Sequence, residues 1–172
     1  MRFFFALWPD EDINRQLTEL AGRLNLERRG RRVDPKNYHM TLVFVGEVPA
    51  TKLAVLQQIG RSLRVPRFTL NCDAIEFWQD SKVVVTVVRT PPPGLLDLCS
   101  RLSAALELPP PKSPRPHVTL ARKVVQAPVL QAMLPMEWWT TTFSLIRSDT
   151  GGAESAYTVV DTWSLLDEMQ NH

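Results

Sequence analysis

Two internal histidines stand in the same tetrapeptide, His39-Met40-Thr41-Leu42 and His117-Val118-Thr119-Leu120. The third histidine of the chain, His172, is its last residue. Imidazole titrates near pH ~6.5, so a pair can supply one general acid and one general base at neutral pH. Within each motif the histidine and threonine are two apart. On a strand, residues i and i+2 point to one face, which puts His39 with Thr41 and His117 with Thr119. Met40, Leu42, Val118 and Leu120 then turn the other way, into a core.

Such a quartet suits in-line displacement at phosphorus. One histidine takes a proton from the attacking oxygen while the other gives one to the leaving oxygen. The two threonine hydroxyls can donate to the non-bridging oxygens, where charge must be held. Arg122, three residues past Thr119, adds a cation near the same place. The scheme needs no cofactor and no metal, and the sequence has no His-x-x-x-His pair or dense Asp/His cluster. A single His-x-Thr-Leu would be read as an ordinary half-buried histidine; the doubling is what carries the argument.

The elements that must hold these residues alternate along the chain. Residues 2–8 read as a strand. Residues 10–27 read as a helix, with Ile13, Leu17, Leu20 and Leu24 in step and Asp10 as N-cap. Tyr38 to Val45 is a strand closed by Gly46. A helix over 50–64 carries Leu53, Leu56, Ile59 and Leu63, and residues 67–77 form a strand. The order then restarts, with a β-branched strand over 82–89 and a helix over 95–107. A stiff proline-rich connector over 109–116 leads into the histidine strand 117–123. One or two helical turns over 128–134 follow, then strands over 138–147 and 156–166, joined through Asp149-Thr150-Gly151-Gly152. Residue 3 precedes His39 by the same interval as residue 81 precedes His117. The economical architecture is one α+β domain over 1–172, made of repeat units near 1–80 and 81–168 with one histidine strand each. If a pseudo-twofold relates the units, the two His/Thr faces meet across a cleft.

Composition agrees with a soluble globular chain: 172 residues, 44% hydrophobic and 22% charged, with no apolar run long enough for a membrane helix. Trp8-Pro9-Asp10-Glu11-Asp12 ends the apolar start without the small-residue cleavage site of a signal peptide. Cys72 and Cys99 are far apart and read as reduced thiols, which points to the cytoplasm. The net charge is only +2, yet arginines outnumber lysines fifteen to five. Arg28-Arg29-Gly30-Arg31-Arg32, shortly before His39, can form a phosphate-attracting rim.

With these motifs the chain resembles the two-histidine (2H) phosphoesterase superfamily. Within it, the similarity is to the bacterial and archaeal RNA 2′,3′-cyclic phosphodiesterases, also called 2′-5′ RNA ligases. Three segments carry it: Arg2 to Leu7, Asn37 to Gly46, and Pro116 to Arg122. The resemblance spans nearly the whole chain. It implies two pseudo-symmetric lobes, each a mainly antiparallel sheet with helices on its outer face, the sheets lining a central cleft. It implies hydrolysis of a terminal 2′,3′-cyclic phosphate to a 2′-phosphate, with reversible 2′-5′ joining of RNA ends such as tRNA halves. It assigns His39 as general acid, His117 as general base, and Thr41, Thr119 and Arg122 to the phosphate. The motifs alone leave acid and base open. The short proline-rich connector before His117 departs from other members. The expected form is a cytoplasmic monomer that takes RNA as its partner.

Other residues are weighed on chemistry alone. Arg32 and Lys36 are candidates for flanking phosphates, and Trp78 for stacking on a base or for packing at the edge of the core. Tyr38 reads as core or rim. Phe44, at odd spacing from Thr41, should face away from it unless the strand bulges. Of Trp138 and Trp139 one should be buried. Glu76 and Asp73 have no partner evident in the sequence. Two other readings compete: a nucleotide- or RNA-binding module without catalysis, and a phosphodiesterase of the same fold acting on a small cyclic nucleotide.

Overall fold

A computed structural model describes residues 1–149, 151–152 and 155–167. Thr150 of the expected turn, residue 168 of the second repeat unit and His172 lie outside the described residues. The first half of the chain gives β1 (Arg2–Leu7), α1 (Glu11–Arg23), β2 (Arg31–Arg32), β3 (Met40–Glu47), α2 (Leu53–Ser62), β4 (Phe68–Cys72) and β5 (Ala74–Trp78). The second gives β6 (Val83–Val87), α3 (Pro93–Ala105), β7 (His117–Arg122), β8 (Met136–Thr140), β9 (Thr142–Asp149) and β10 (Ala156–Ser164).

Local chemistry explains the boundaries. The Asp10 side chain accepts from the Ile13 amide and caps α1. That helix stops at Arg23, earlier than the apolar spacing suggests. Asn25 turns left-handed at φ 51°, and a 3₁₀ turn over Leu26–Arg28 follows. Pro93 opens α3 from its first turn, where a missing N–H costs nothing. No helix forms over 128–134. Pro128 and Pro135 bracket the segment, and Val129 and Leu134 are exposed, so no buried face exists to drive one.

Two of the predicted strands are each split. Asp73 separates β4 from β5 and Thr141 separates β8 from β9. At both breaks the chain changes sheets. β4 pairs with β8 as a two-stranded ribbon, β5 goes on to join β6, and β9 goes on to join β1. The Asp73 carboxylate holds its corner by accepting from the Arg89 amide and Nε, both at 3.2 Å.

The two main sheets are four-stranded and antiparallel throughout, in the orders β10-β9-β1-β3 and β2-β7-β6-β5. Each has a central strand, β1 or β6, next to its histidine strand, β3 or β7. The sheets do not follow the sequence halves. β9 and β10 complete the first sheet, while β2 and β5 belong to the second. The helices cross as well: α1 packs on β7 and β8, and α3 on β3.

Most apolar side chains enter one continuous core, including Phe3, Phe5, Leu7, Met40, Leu42, Val118 and Leu120. The four motif residues expected to face inward are thus buried. On the opposite face of each sheet lies a small separate cluster. Phe4, Ala6 and Ile146 pack with Trp8 and Tyr157 under the first histidine strand. Val83, Val85 and Val87 pack with Ala74 and Trp78 under the second.

Gly30 sets how closely β2 approaches β7. A Cβ there would lie 2.7 Å from the Arg122 carbonyl oxygen and 2.9 Å from that of Lys123. Those atoms are backbone and cannot rotate away. Gly30→Ala should therefore cost about 1–3 kcal/mol of stability, seen as a lower Tm in thermal denaturation. An unchanged Tm would mean that β2 is not packed this tightly.

Candidate active site

His39 sits one residue before β3 and His117 opens β7, so each ring is held at the mouth end of its strand. In both, Nδ1 donates to the carbonyl of the residue two positions earlier: Asn37 at 2.7 Å and Arg115 at 2.8 Å. A proton fixed on Nδ1 leaves Nε2 to serve the cleft, as an acceptor when the ring is neutral and a donor when it is charged. β3 and β7 approach each other. A cavity of about 470 Å³ between them is lined by His39, Thr41, His117, Thr119, Arg122 and Tyr157, among others. The two His/Thr faces read from alternation therefore share one space. Neither threonine hydroxyl has a hydrogen-bond partner among the described residues, and neither does the Arg122 guanidinium. All three are available to an anion.

The two rings rest on different surroundings. His39 stacks on Trp8 with centroids 5.4 Å apart and planes 10° apart, and it also meets Phe4 and Tyr157, both at 5.1 Å. His117 meets the edge of Trp78 at 4.6 Å. Burial is the main influence on both and disfavours the charged ring. It brings His39 down to about 4, against the hydrogen bond to Asn37 that favours protonation; Arg122 and His117 add to the depression. His117 is lowered from its usual value by burial, again opposed by its backbone bond, with Arg122 and Arg115 contributing repulsion. Both rings are neutral in the free protein near pH 7.

Trp8, Phe4 and Tyr157 were not singled out by sequence reasoning. Phe4 and Trp8 had a signal, lying on the alternate face of an apolar first strand. Tyr157 had none, because it reaches the site through β10 pairing with β9. Phe44 corrects the alternation argument. Its side chain is 71% exposed and lines the same cavity as Thr41. β3 carries two irregularities against β1. Phe5 and Ala6 pair with Val43 and Thr41, and Phe3 and Phe4 with Gly46 and Phe44. The extra residue at Leu42 reverses the face, so Thr41 and Phe44 both look into the cleft.

Two mouths flank the cavity. One, of about 250 Å³, reaches His39 and Thr119 and is lined by Arg31, Arg32, Arg122 and Lys123. The other, of about 400 Å³, reaches Thr41 and His117 and is apolar, with Phe44, Leu95, Pro109 and Pro114 on its walls. Arg32 lines the cationic mouth, but its Nη2 already donates to the Thr18 carbonyl at 2.8 Å. Lys36 is 74% exposed, pairs with Asp34 at 3.5 Å and lines neither mouth. Arg29 of the basic run donates to the Ala127 carbonyl. As a stacking platform, Trp78 already has the Arg115 guanidinium over one face. Tyr38 and Trp138 are core, and Trp139 is half exposed. Among the described residues no three His, Cys, Asp or Glu side chains cluster as metal ligands, and no helix is long and apolar enough to cross a membrane.

Comparison with known proteins agrees in sequence and in fold. The family model for LigT-like phosphoesterases matches residues 7–88. The RNA 2′,3′-cyclic phosphodiesterase of Escherichia coli (strain K12) is 33% identical over 95% of this chain and 96% of its own. The enzyme of that name from Thermus thermophilus is 29% identical over 98% of this chain and 92% of its own. A crystal structure of E. coli LigT complexed with 3′-AMP superposes with a TM-score of 0.82 at 31% identity, covering 95% of this chain and 96% of that one.

Arg122 disfavours the charged form of both imidazoles. Arg122→Gln should therefore raise both pKa values, read from the imidazole proton shifts in an NMR titration. A rise in only one ring would mean that the guanidinium does not sit between them.

Proposed function

The chain belongs to the LigT-like phosphoesterase family, and from that premise we propose that it hydrolyses the terminal 2′,3′-cyclic phosphate of RNA to a 2′-phosphate. The observation that carries this reading is the convergence on one cavity of both His/Thr pairs and Arg122, which has no hydrogen-bond partner among the described residues, each imidazole tied through Nδ1. In the proposed reaction His117 Nε2 takes a proton from water as its oxygen attacks phosphorus. The bond from phosphorus to the 3′-oxygen breaks in line, and that oxygen takes the proton of His39 Nε2. Thr41, Thr119 and Arg122 hold the charge that gathers on the non-bridging oxygens.

The assignment of acid and base follows the family resemblance. Burial keeps the His117 ring neutral and ready to accept a proton, with Arg122 and Arg115 adding to the effect. Burial holds the free His39 ring at about 4, so its role as acid requires the entering anionic phosphodiester to raise it, beside a Trp8 face that favours an imidazolium. Running the steps backward, with a 5′-hydroxyl in place of water, gives 2′-5′ joining of RNA ends such as tRNA halves. The cationic mouth suits the phosphates of the upstream strand, with Arg32 on its wall, whereas Lys36, paired with Asp34, does not line it. Phe44 on the apolar side suits the terminal base. Cys72 and Cys99 are free thiols, in keeping with a cytoplasmic enzyme, which we take to act as a monomer. A small cyclic nucleotide is the second reading, since the apolar mouth alone would hold one base.

A cyclic-phosphate-ended oligonucleotide should be turned over with chelator present, yielding the 2′-phosphate. His39→Ala and His117→Ala should each lose at least roughly 100-fold in kcat; full activity in both variants would end the reading. The pH profile of kcat/KM should be a bell with both limbs below about 6.5, because burial lowers both rings. The alkaline limb of kcat should lie higher, as bound phosphate favours the protonated acid. Raising salt should depress kcat/KM more for the oligonucleotide than for a cyclic mononucleotide. Equal salt slopes would favour the small substrate.

A further inference from the structure

One carboxylate gathers the residues around the second histidine. Glu76 and Trp78 lie two apart on β5, the edge strand of their sheet. Trp78 Nε1 donates to Glu76 Oε2 at 2.5 Å, and Arg115 Nη2 donates to the same oxygen at 2.5 Å. The Arg115 guanidinium also covers the indole, 4.6 Å from its centroid. The indole edge meets the His117 ring, and the Arg115 carbonyl accepts from His117 Nδ1 at 2.8 Å. Glu76, Trp78, Arg115 and His117 thus close a loop of contacts. Glu76 itself does not line the central cavity.

The loop answers a local problem. Arg115 ends the proline-rich connector, whose residues 109–115 are exposed and bury nothing that would fix their position. Its carbonyl nevertheless has to sit within hydrogen-bond reach of an imidazole. The Pro116 carbonyl, accepting from the Val88 amide at 3.0 Å, anchors one side. The charge-assisted bond to Glu76 anchors the other. Beyond its bond to the Asn37 carbonyl, His39 is held by aromatic packing, with no such ionic clamp among the described residues.

We propose that Glu76 is a positioning residue for His117: by holding Trp78 and Arg115 together it keeps the ring in the Nδ1–H tautomer with Nε2 toward the cleft. Only its effect on turnover rests on the reading of His117 as the base. The clamp is a property of the folded protein and can be read without substrate.

The test compares wild type with Glu76→Ala and Glu76→Gln, the second keeping the size and one acceptor but losing the charge. Long-range ¹H–¹⁵N NMR reads the tautomer of each histidine, and steady-state kinetics reads turnover on a cyclic-phosphate-ended oligonucleotide. Glu76→Ala should lose the dominance of the Nδ1–H tautomer at His117 and keep it at His39. Its kcat should fall roughly tenfold with KM within about twofold, and Glu76→Gln should fall between. If alanine does not fold, Glu76→Gln carries the test. An unchanged His117 tautomer, or an equal change in both histidines, overturns the proposal. Absence of turnover in the wild type would sink the proposed function and leave the tautomer result to decide this one.

Discussion

A hydrogen bond from Nδ1 to a main-chain carbonyl two residues upstream fixes each imidazole of the pair. That bond chooses the tautomer, sets the plane of the ring and commits Nε2 to the cleft. It also couples each ring to backbone rather than to a carboxylate. The usual partner of a catalytic histidine would raise its pKa by a full charge. A carbonyl raises it less, which leaves burial in control and both rings neutral before substrate arrives.

Around that shared bond the two sides differ. The first ring lies among Phe4, Trp8 and Tyr157, and the second beside Trp78, whose indole carries the Arg115 guanidinium. Burial disfavours the charged ring in both places, and Arg122 adds to it in each. The mouths differ too, cationic beside His39 and apolar beside His117.

The sequence made much of this legible where the cause was local. Alternation placed Met40, Leu42, Val118 and Leu120 in the core and their neighbours on the cleft, and Asp10 marked the start of α1. It failed on Phe44, because the bulge at Leu42 turns that side chain to the cleft and leaves no mark in composition. Tyr157 and the partner of Glu76 were invisible for another reason. Both depend on which segments pair across long stretches of chain, and periodicity reports a face without naming its neighbour. For the same reason, the exchange of strands from the two repeat units between the sheets left no mark in the sequence.

That exchange has a kinetic side. The first sheet sets β1 and β3, made early in synthesis, against β9 and β10, made near the end. Closing it means paying the entropy of a loop of nearly the whole chain before its inner strand is covered on both edges. Chains whose contacts are this distant in sequence fold slowly. The bed of Phe4 and Tyr157 beneath His39 therefore cannot exist on a nascent fragment. A fragment without β9 and β10 would carry both histidine motifs and still lack the Tyr157 side of that bed.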